Sequence, residues 1–256
     1  MKSTARIYPF NLEFANDSSG NPYYALFPFL FNDHPVDGFF ACVSSRLSGD
    51  MKRGERNQNR IDLWRGLGLS PDKVIGVNQT HSRNVIVVDR ENPPPPDAEA
   101  DGLLTLDREI ALSVTVADCL PVFLLDTKSG AFGVAHSGWK GTGIAARAVN
   151  LARKHWGAKS LDMAAILGPC ICAGCYKVDK ERALFFEKNF GEESARKTED
   201  GFFLDLKAAN VKLLEEAGVR NIAVCGDCSF EDTRLGSFRR EGNQFTRMAA
   251  LTGFLV

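Results

Sequence analysis

Residues 113–141 read SVTVADCLPVFLLDTKSGAFGVAHSGWKG and contain the most informative patterns of the chain. An apolar run over 113–126 carries Cys119 in its middle, and a second apolar run ends in His136. The polar residues 126–130 between the runs are typical of a turn that joins β-strands. A glycine-rich turn after His136 then opens a helix. The stretch therefore predicts two strands and a helix, with a thiol and an imidazole on the strands.

Outside this stretch, strands and helices mix, with neither strict β–α alternation nor separation into two halves. Strands are predicted from apolar runs bounded by Gly, Pro, Asn and Asp, at 23–27, 39–43, 74–77, 84–88, 100–105, 163–167 and 221–225. Helices are predicted from apolar faces and capping residues, at 59–67, 143–156, 179–189 and 205–217. We expect an α/β (α+β) fold, a single-domain layered sandwich with mixed β-sheets and outer helices.

Three local features add expectations of their own. Pro121 cannot donate a hydrogen bond to a sheet, so its strand should lie at an edge or be distorted there. The basic stretch 44–60 should be a solvated loop, with the alternative that its Arg46 reaches an anionic substrate. The proline-rich segment 91–97 should be an extended surface loop.

The composition restricts the class of protein. The chain has 256 residues, of which 44% are hydrophobic and 25% charged, values ordinary for a soluble globular protein. Its 31 Lys and Arg balance 32 Asp and Glu, so there is no basic field for nucleic acid. The most apolar early stretch, 23–31, is far shorter than the ~20 residues that span a bilayer. With no secretory signal in the sequence, we expect a cytoplasmic protein without a membrane partner.

The cysteines do not suggest a disulfide framework. There are seven, an odd number, in a chain without a secretory signal, so the thiols should be reduced. Five of them form two C-x-x-C pairs with one neighbour; these are Cys170, Cys172, Cys175, Cys225 and Cys228. The C-x-x-C pairs could form a structural zinc clamp, or one of them could be a redox-active pair. The long separation between the pairs favours free thiols near the surface, with no assigned role.

The first candidate site is His81, Cys119 and His136. Two imidazoles and one thiolate are an accepted ligand set for catalytic zinc, which keeps a fourth position open for water or substrate. The three residues are distant in sequence, so three unrelated core residues are the alternative. Glycines at 138, 141 and 143 leave backbone N–H groups free at a helix start, which favours a bound anion.

Other catalytic motifs are missing from the sequence. It contains no phosphate-binding G-x-x-x-x-G-K-[ST] loop, no G-x-G-x-x-G after a strand and no G-x-S-x-G nucleophile elbow. Kinase, dinucleotide-dependent and serine-hydrolase functions therefore lose support.

Seven segments together resemble a known family. They are QTHS at 79–82, ADGLLT at 100–105, ADCLPV at 117–122, AHSGWKG at 135–141, GPCI at 168–171, CYKV at 175–178 and SFRR at 237–240. Their order and spacing resemble the laccase-domain family, variously called polyphenol oxidase, peptidoglycan-editing factor and purine nucleoside phosphorylase, across about residues 38–255. The chain departs from the family pattern in a shortened loop at 47–58 and in Thr246-Arg247, where the family has Gly-Arg.

The resemblance implies one catalytic domain of this family over residues 1–256. It implies Zn²⁺, with copper as the alternative, held by His81, Cys119 and His136, which are also the catalytic residues. The implied activity is that of a purine nucleoside phosphorylase (adenosine, inosine, guanosine, methylthioadenosine) with adenosine deaminase activity, hence both transferase and hydrolase. The substrate-binding residues that we expect are Arg46, Gly138, Lys140 and Gly141. The partners should be a small-molecule nucleoside and phosphate, and a homodimer is left open.

Three other functions stay open at this point. A copper-dependent polyphenol oxidase (laccase) needs several coppers, and the chain has only four histidines. A peptidoglycan-precursor-editing amidase would use Cys119 as nucleophile and His136 as base. A non-enzymatic binding protein would hold no metal. Metal analysis together with an assay of adenosine plus phosphate separates these cases.

Overall fold

The computed structural model describes residues 5–54 and 57–254. Its strands are β1 (Arg6–Phe10), β2 (Phe14–Asn16), β3 (Pro22–Leu26), β4 (Leu30–Phe31), β5 (His34–Pro35), β6 (Phe39–Ser44), β7 (Val74–Gly76), β8 (Val85–Val87), β9 (Gly102–Thr105), β10 (Ala111–Val116), β11 (Leu120–Asp126), β12 (Phe132–Ser137), β13 (Met163–Leu167), β14 (Lys177–Val178), β15 (Ala195–Thr198), β16 (Gly201–Leu204), β17 (Asn221–Cys225) and β18 (Met248–Phe254). Its α-helices are α1 (Gln58–Gly66), α2 (Ile144–Trp156), α3 (Lys180–Phe190), α4 (Leu206–Glu216) and α5 (Phe238–Glu241).

Two large mixed sheets form the centre of the molecule. One has seven strands in the order β1-β17-β13-β11-β12-β9-β8, and the other has six in the order β2-β3-β6-β18-β10-β7. Each combines parallel and antiparallel pairs, such as β13 with β17 and β11 with β12 in the first sheet. Two small sheets, β14-β16-β15 and β4-β5, complete the fold. The expected mixed sheets are confirmed.

The layering follows from apolar residues on both faces of β11. Val122 and Leu124 pack with the buried residues of α2, α3 and α4, whereas Phe123 and Leu125 join the apolar cluster between the two large sheets. This alternation is the two-residue period of a strand buried on both faces. Trp64 of α1 packs on the outer face of the six-stranded sheet. The layers are therefore α1, six strands, seven strands and α2–α4, which confirms the layered sandwich with outer helices.

The apolar run 113–126 is not one strand, as its pattern suggested, but two strands in different sheets. Its first half is β10 of the six-stranded sheet, and its second half is β11 of the seven-stranded sheet. Between them Asp118 has a φ of 80°, a left-handed conformation that residues other than glycine seldom adopt. Cys119 thus lies where the chain crosses from one sheet to the other. Hydrophobicity did not reveal the crossing because both halves are buried.

The prediction that the strand of Pro121 lies at an edge is wrong. β11 lies between β12 and β13, and Pro121 is opposite His136 in the register with β12. Its carbonyl accepts a hydrogen bond from the amide of Gly168 at 2.9 Å. The distortion that proline indicated lies just before it, at Asp118.

The helix predictions fared better than the strand predictions. The four predicted helices correspond to α1–α4 to within a residue at each end, and the 91–97 segment is mostly exposed as expected. The patterns missed β18, because its sequence MAALTGF contains residues of low β-propensity, although it lies centrally between β6 and β10. The 44–60 stretch is not wholly solvated, since Met51 is fully buried; its residues 55 and 56 lie outside the described residues.

No helix within residues 5–54 and 57–254 combines the length and the apolar character needed to cross a membrane.

Candidate metal centre

The structure brings His81, Cys119 and His136 together, and we call them the metal trio. Their ligand atoms all lie within 4.8 Å of one another. The two imidazole rings are 4.8 Å apart, centroid to centroid, in an edge-to-face arrangement. A tetrahedral zinc ion lies about 2.0–2.3 Å from nitrogen and sulfur ligands. Ligand atoms that share one ion must therefore lie close to one another, as the three ligand atoms of the trio do. The donor set and its spacing therefore fit a zinc ion with one position left open.

Each member of the trio comes from a different kind of segment. Cys119 follows the crossover at Asp118, and His136 lies in β12 near the strand end that pairs with the start of β11. His81 lies in the loop between β7 and β8 with a φ of 59°, a left-handed conformation that is rare for a non-glycine residue. Backbone strain of this kind often marks functional sites, where the surrounding structure must hold it in place.

The fully buried carboxylate of Asp101 holds that strained loop. Its Oδ2 accepts hydrogen bonds from the amides of Thr80 and Ser82 and from the Ser82 hydroxyl, at 3.1, 2.7 and 2.8 Å. Its Oδ1 accepts from the amide of His81 at 3.0 Å. Three successive amides thus surround one carboxylate, an anion-binding arrangement of the backbone. Asp101 thereby fixes the position of His81.

The same carboxylate sets the tautomer of His136. The Nδ1 atom of His136 lies 2.8 Å from Oδ1 of Asp101, and a carboxylate only accepts, so Nδ1 carries the proton. The Nε2 atom is therefore the ligand atom, in the carboxylate–histidine arrangement common around protein-bound metals. Burial acts to raise the pKa of Asp101, but hydrogen bonds from His136 and Ser82 outweigh it and lower the pKa to about 2. The carboxylate is thus charged at neutral pH.

The protein also favours the thiolate of Cys119. Burial acts to raise the pKa of this thiol, but the combined effects of His136 and His81 lower it to about 6. For His136, burial acts to lower the pKa, but Cys119 and Asp101 raise it to about 9. Both pKa shifts have the same cause, because the thiolate of Cys119 and the protonated imidazole of His136 stabilise each other. A metal cation at this point takes the place of the proton, since thiolate and neutral imidazole are the forms that bind metal.

Gly138 is needed beside the trio because no larger residue fits there. A Cβ atom at this position would lie 2.8 Å from the sulfur of Cys119 and 3.3 Å from Cδ2 of His81. The first distance is shorter than any real carbon–sulfur contact of this kind, so both ligands would have to move.

We therefore expect Gly138→Ala to weaken metal binding by about tenfold or more, since ligand orientation tunes affinity on that scale. Competition of the purified protein against a zinc-binding dye measures the change. Gly54→Ala is the matched control, because a Cβ atom there meets nothing within 4 Å. Equal zinc affinities for the two variants would contradict the close approach at Gly138.

The metal trio lines a cavity of about 500 Å³ with aromatic and cationic walls. Its aromatic residues are Trp139, Tyr176, Phe238 and Phe245. Its cationic residues are Arg182, Arg239 and Arg247. Each guanidinium lies over an aromatic ring: Arg182 is 4.2 Å from the centroid of Trp139, Arg239 is 5.5 Å from Tyr176 and Arg247 is 4.2 Å from Phe245. Stacking of this kind restrains the charged groups at the cavity wall.

The four residues that we expected to bind substrate lie elsewhere among the described residues, outside the lining of this cavity. The Nε atom of Arg46 donates to the carbonyl of Thr233 at 3.0 Å. Lys140 is exposed, with its Nζ 5.5 Å from the centroid of Trp139. Gly141 packs against the carbonyl of Ser82, and Gly138 against the metal trio. A role in substrate binding stays a prediction for all four.

Sequence reasoning missed Asp101 and the three arginines of the cavity. Asp101 belongs to the ADGLLT segment and Arg239 to the SFRR segment, so both lay within motifs that carried the family resemblance. An acidic residue at the start of an apolar strand was the available signal for Asp101, because a buried carboxylate needs partners. Arg247 lies where the family has Gly-Arg, so the resemblance pointed to it as well. Arg182 had no signal of its own, since its approach to the cavity depends on tertiary packing.

Comparison with known proteins identifies the family. The family model described as "Multi-copper polyphenol oxidoreductase laccase" matches residues 44–254, and the chain belongs to this family. A purine nucleoside phosphorylase of Corynebacterium glutamicum is 36% identical over 207 residues, covering 78% of this chain and 81% of that protein. A protein of an unknown prokaryotic organism, named adenosine deaminase RL5, is 34% identical over 198 residues, covering 72% of this chain and 76% of that protein.

A solved structure shares the fold. YlmD from Geobacillus stearothermophilus superimposes with a TM-score of 0.80 at 26% sequence identity, covering 95% of this chain and 99% of that chain. The resemblance that the sequence motifs indicated is thereby confirmed, together with the mixed α/β fold.

Proposed function

We propose that this protein is a zinc-dependent purine nucleoside phosphorylase, acting on adenosine, inosine, guanosine and methylthioadenosine, with adenosine deaminase activity. The observation that carries the proposal is the metal trio in the wall of a cavity whose lining also includes four aromatic rings and three arginines. The names of the two relatives, purine nucleoside phosphorylase and adenosine deaminase, support it.

The cavity offers what a nucleoside and phosphate require. The exposed ring of Phe238, in the cavity lining, provides a surface on which a purine can stack. Guanidinium groups of Arg182, Arg239 and Arg247 provide planar donors for phosphate oxygens. A cavity of about 500 Å³ lies within the usual range for small-molecule sites. Nucleoside and phosphate can therefore meet beside the trio.

In this proposal, each residue of the site has a separate role. His81, Cys119 and His136 hold the ion, and Asp101 keeps the proton on Nδ1 of His136 so that Nε2 stays a ligand. The chemistry that a bound zinc ion supplies is that of a Lewis acid, which activates an oxygen for attack. In phosphorolysis, an oxygen of hydrogen phosphate held by the arginines bonds to ribose C1′ while the bond from C1′ to the purine nitrogen breaks, and the purine leaves with the proton that hydrogen phosphate gives up. In deamination, water adds at C6 of adenine and ammonia leaves.

An assay with adenosine tests both activities together. Zinc-loaded protein is incubated with adenosine, with and without inorganic phosphate, and the products are separated by chromatography. We expect adenine and ribose 1-phosphate only when phosphate is present, and inosine with or without it. A metal-stripped sample of the same preparation is the control. Adenosine that remains intact in every zinc-loaded sample would exclude the proposal.

One observation favours a second candidate, the peptidoglycan-precursor-editing amidase. Asp101 contacts His136, and His136 contacts Cys119, as the acid, base and nucleophile of a catalytic triad do. The pKa of Cys119 is also lowered to about 6. His81, which a triad does not need, favours the metal site instead. Inactivation by iodoacetamide of metal-free protein that still cleaves a peptidoglycan amide would support the amidase.

The copper-dependent polyphenol oxidase has less support from the chain's histidines. His34 in β5 and His155 in α2 are exposed and lie outside the trio. Only two of the four histidines are thus available to the cavity, enough for one copper ion and not for several. Copper in place of zinc stays the alternative cofactor.

We also propose that residues 1–256 act as one catalytic domain in the cytoplasm, on a small-molecule nucleoside and phosphate. Neither nucleic acid nor membrane is a proposed partner, and a homodimer is the proposed assembly to test.

A further inference from the structure

Three cysteines and a glutamate form a second cluster, separate from the metal trio. Cys172, Cys175, Cys228 and Glu231 each offer a ligand atom, and these four atoms all lie within 4.8 Å of one another. The sequence left open a clamp of two C-x-x-C pairs, but the structure pairs C-x-x-C with C-x-x-E. Cys225 lies apart, with its thiol donating to Asp227 at 3.4 Å.

Backbone hydrogen bonds place the two ligand-bearing turns side by side. In the C-x-x-C turn, the amides of Cys175 and Tyr176 both donate to the carbonyl of Cys172 at 3.0 Å. In the C-x-x-E turn, the amide of Asp232 donates to the carbonyl of Cys228 at 2.9 Å. The turns follow β13 and β17, which are parallel neighbours, and a further bridge joins Cys170 to Cys228. The fold therefore presents all four side chains to one point.

Two hydrogen bonds within the cluster bear on metal binding, one by favouring a thiolate and one by placing a replaceable proton between two ligand atoms. The amide of Cys172 donates to the sulfur of Cys228 at 3.2 Å, a bond that favours the negatively charged form. The thiol of Cys175 donates to the carboxylate of Glu231 at 3.4 Å. That thiol proton lies between two metal-ligand atoms, and a divalent cation can replace it.

Two arginines supply positive charge to the same turns. Arg196 donates to the carbonyl of Ala173 at 3.0 Å, inside the C-x-x-C turn. Arg240 donates to the carbonyls of Ser229 and Phe230 at 2.7 and 2.8 Å, inside the C-x-x-E turn. Three thiolates and one carboxylate around Zn²⁺ leave a net charge of about −2. Arg196 offsets part of it, whereas the charge of Arg240 is shared with Glu241, 2.7 Å away.

We propose that Cys172, Cys175, Cys228 and Glu231 bind a second, structural zinc ion. Thiolate-rich sites select soft or borderline metals such as zinc, and four protein ligands close the coordination shell, as in structural sites. Binding displaces three thiol protons and joins the two turns through the ion.

The second ion would stiffen the wall of the substrate cavity. Ile171 and Tyr176, on either side of the C-x-x-C turn, both line the cavity. Ser229, next to Cys228, donates its hydroxyl to the carboxylate of Asp118 at 2.6 Å, and Asp118 precedes Cys119 of the metal trio. A clamp at the two turns therefore fixes residues on two sides of the cavity without contacting substrate.

Zinc counting by mass spectrometry of purified, reduced full-length protein tests the proposal. We expect two zinc ions per chain in the wild type, one in Cys119→Ala and one in Cys175→Ser. Cys170→Ala is the matched control, because it changes a cysteine two residues from Cys172 that lies outside the cluster, and it should keep both ions. Loss of the second ion should lower the melting temperature of Cys175→Ser by roughly 10 °C relative to the wild type.

A second measurement covers the case in which Cys175→Ser does not fold. Cobalt added to the Cys119→Ala protein should give the thiolate-to-cobalt absorption of a multi-cysteine site. The proposal is overturned if Cys119→Ala holds no zinc, or if Cys175→Ser keeps two ions. It is also overturned if thiol counting shows Cys172 and Cys175 oxidised to a disulfide in fresh protein, or if the second metal is iron. Failure of the adenosine assay leaves these counts unchanged, so the two proposals fail independently.

Discussion

Replacing Cys119 with alanine is expected to lower nucleoside turnover by about 10³-fold and to remove zinc from the metal trio. The sulfur of Cys119 is the one anionic ligand of the trio, since His81 and His136 bind as neutral imidazoles. Without it, two imidazoles alone must hold a divalent cation in a site open to solvent. Turnover of adenosine with phosphate, and the zinc content of the same preparation, measure the two effects.

A second variant separates the metal mechanism from a cysteine nucleophile. His81→Ala removes a ligand but leaves the pair of Cys119 and His136, together with Asp101, in place. In a metal-dependent enzyme this variant should lose turnover nearly as completely as Cys119→Ala. In an amidase with a Cys119 nucleophile it should keep most of its activity. Full turnover by Cys119→Ala protein that holds no metal in the trio would contradict both.

The metal trio could be predicted from sequence because its three residues lie in short motifs that carry the family resemblance, whereas their spacing alone left unrelated core residues as the alternative. Each ligand lies in a local pattern whose neighbours are small or turn-forming, such as Ala117-Asp118 before Cys119 and Gly138 after His136. Helices α1–α4 could be predicted for a similar reason, since their caps and apolar faces are local features. Asp179 and Asp205, for example, accept hydrogen bonds from the first turns of α3 and α4.

What could not be predicted depends on contacts between distant segments. The change of sheet at Asp118 leaves no trace in hydrophobicity, because β10 and β11 are both buried. The choice of Glu231 over Cys225 in the second cluster depends on which side chains of two turns face each other. Of the cavity arginines, Arg239 and Arg247 lie in segments compared with the family, but their approach to Arg182 of α3 depends on tertiary packing that local patterns do not show. Local elements could therefore be predicted from the sequence, whereas the packing that forms the cavity wall could not.

Asp101→Asn is expected to reduce zinc affinity at the trio by about 10- to 100-fold, because no orientation of an amide can replace this carboxylate. If the side-chain oxygen of the asparagine faces His136, its NH₂ group faces the backbone amides of Thr80 and Ser82. Both sides are then hydrogen-bond donors, and no hydrogen bond can form. If the amide is flipped, its NH₂ group faces Nδ1 of His136 and favours a proton on Nε2, the ligand atom. Zinc affinity by dye competition measures the loss.

Asp101→Asn should also lower the free energy of unfolding, by an amount that depends on pH. The folded-state pKa of Asp101, about 2, lies below its ordinary value of 3.8, so the charged carboxylate stabilises the fold. A shift of this size corresponds to about 2 kcal/mol, fully present above about pH 4 and lost as the pH falls through about 2. Urea unfolding of wild type and Asp101→Asn should therefore show a stability difference at pH 6 that narrows progressively below pH 4.

Asp126→Asn provides the matched comparison. Asp126 is also buried, and its carboxylate accepts hydrogen bonds from the amide of Lys128 and the hydroxyl of Ser129 at the far end of β11. It should lose stability through the same loss of an acceptor, but its zinc affinity should stay that of the wild type. If both variants lost zinc equally, the effect of Asp101 would be one of general stability. Since Asp101 contacts both His81 and His136 directly, we expect the loss of zinc to be confined to Asp101→Asn.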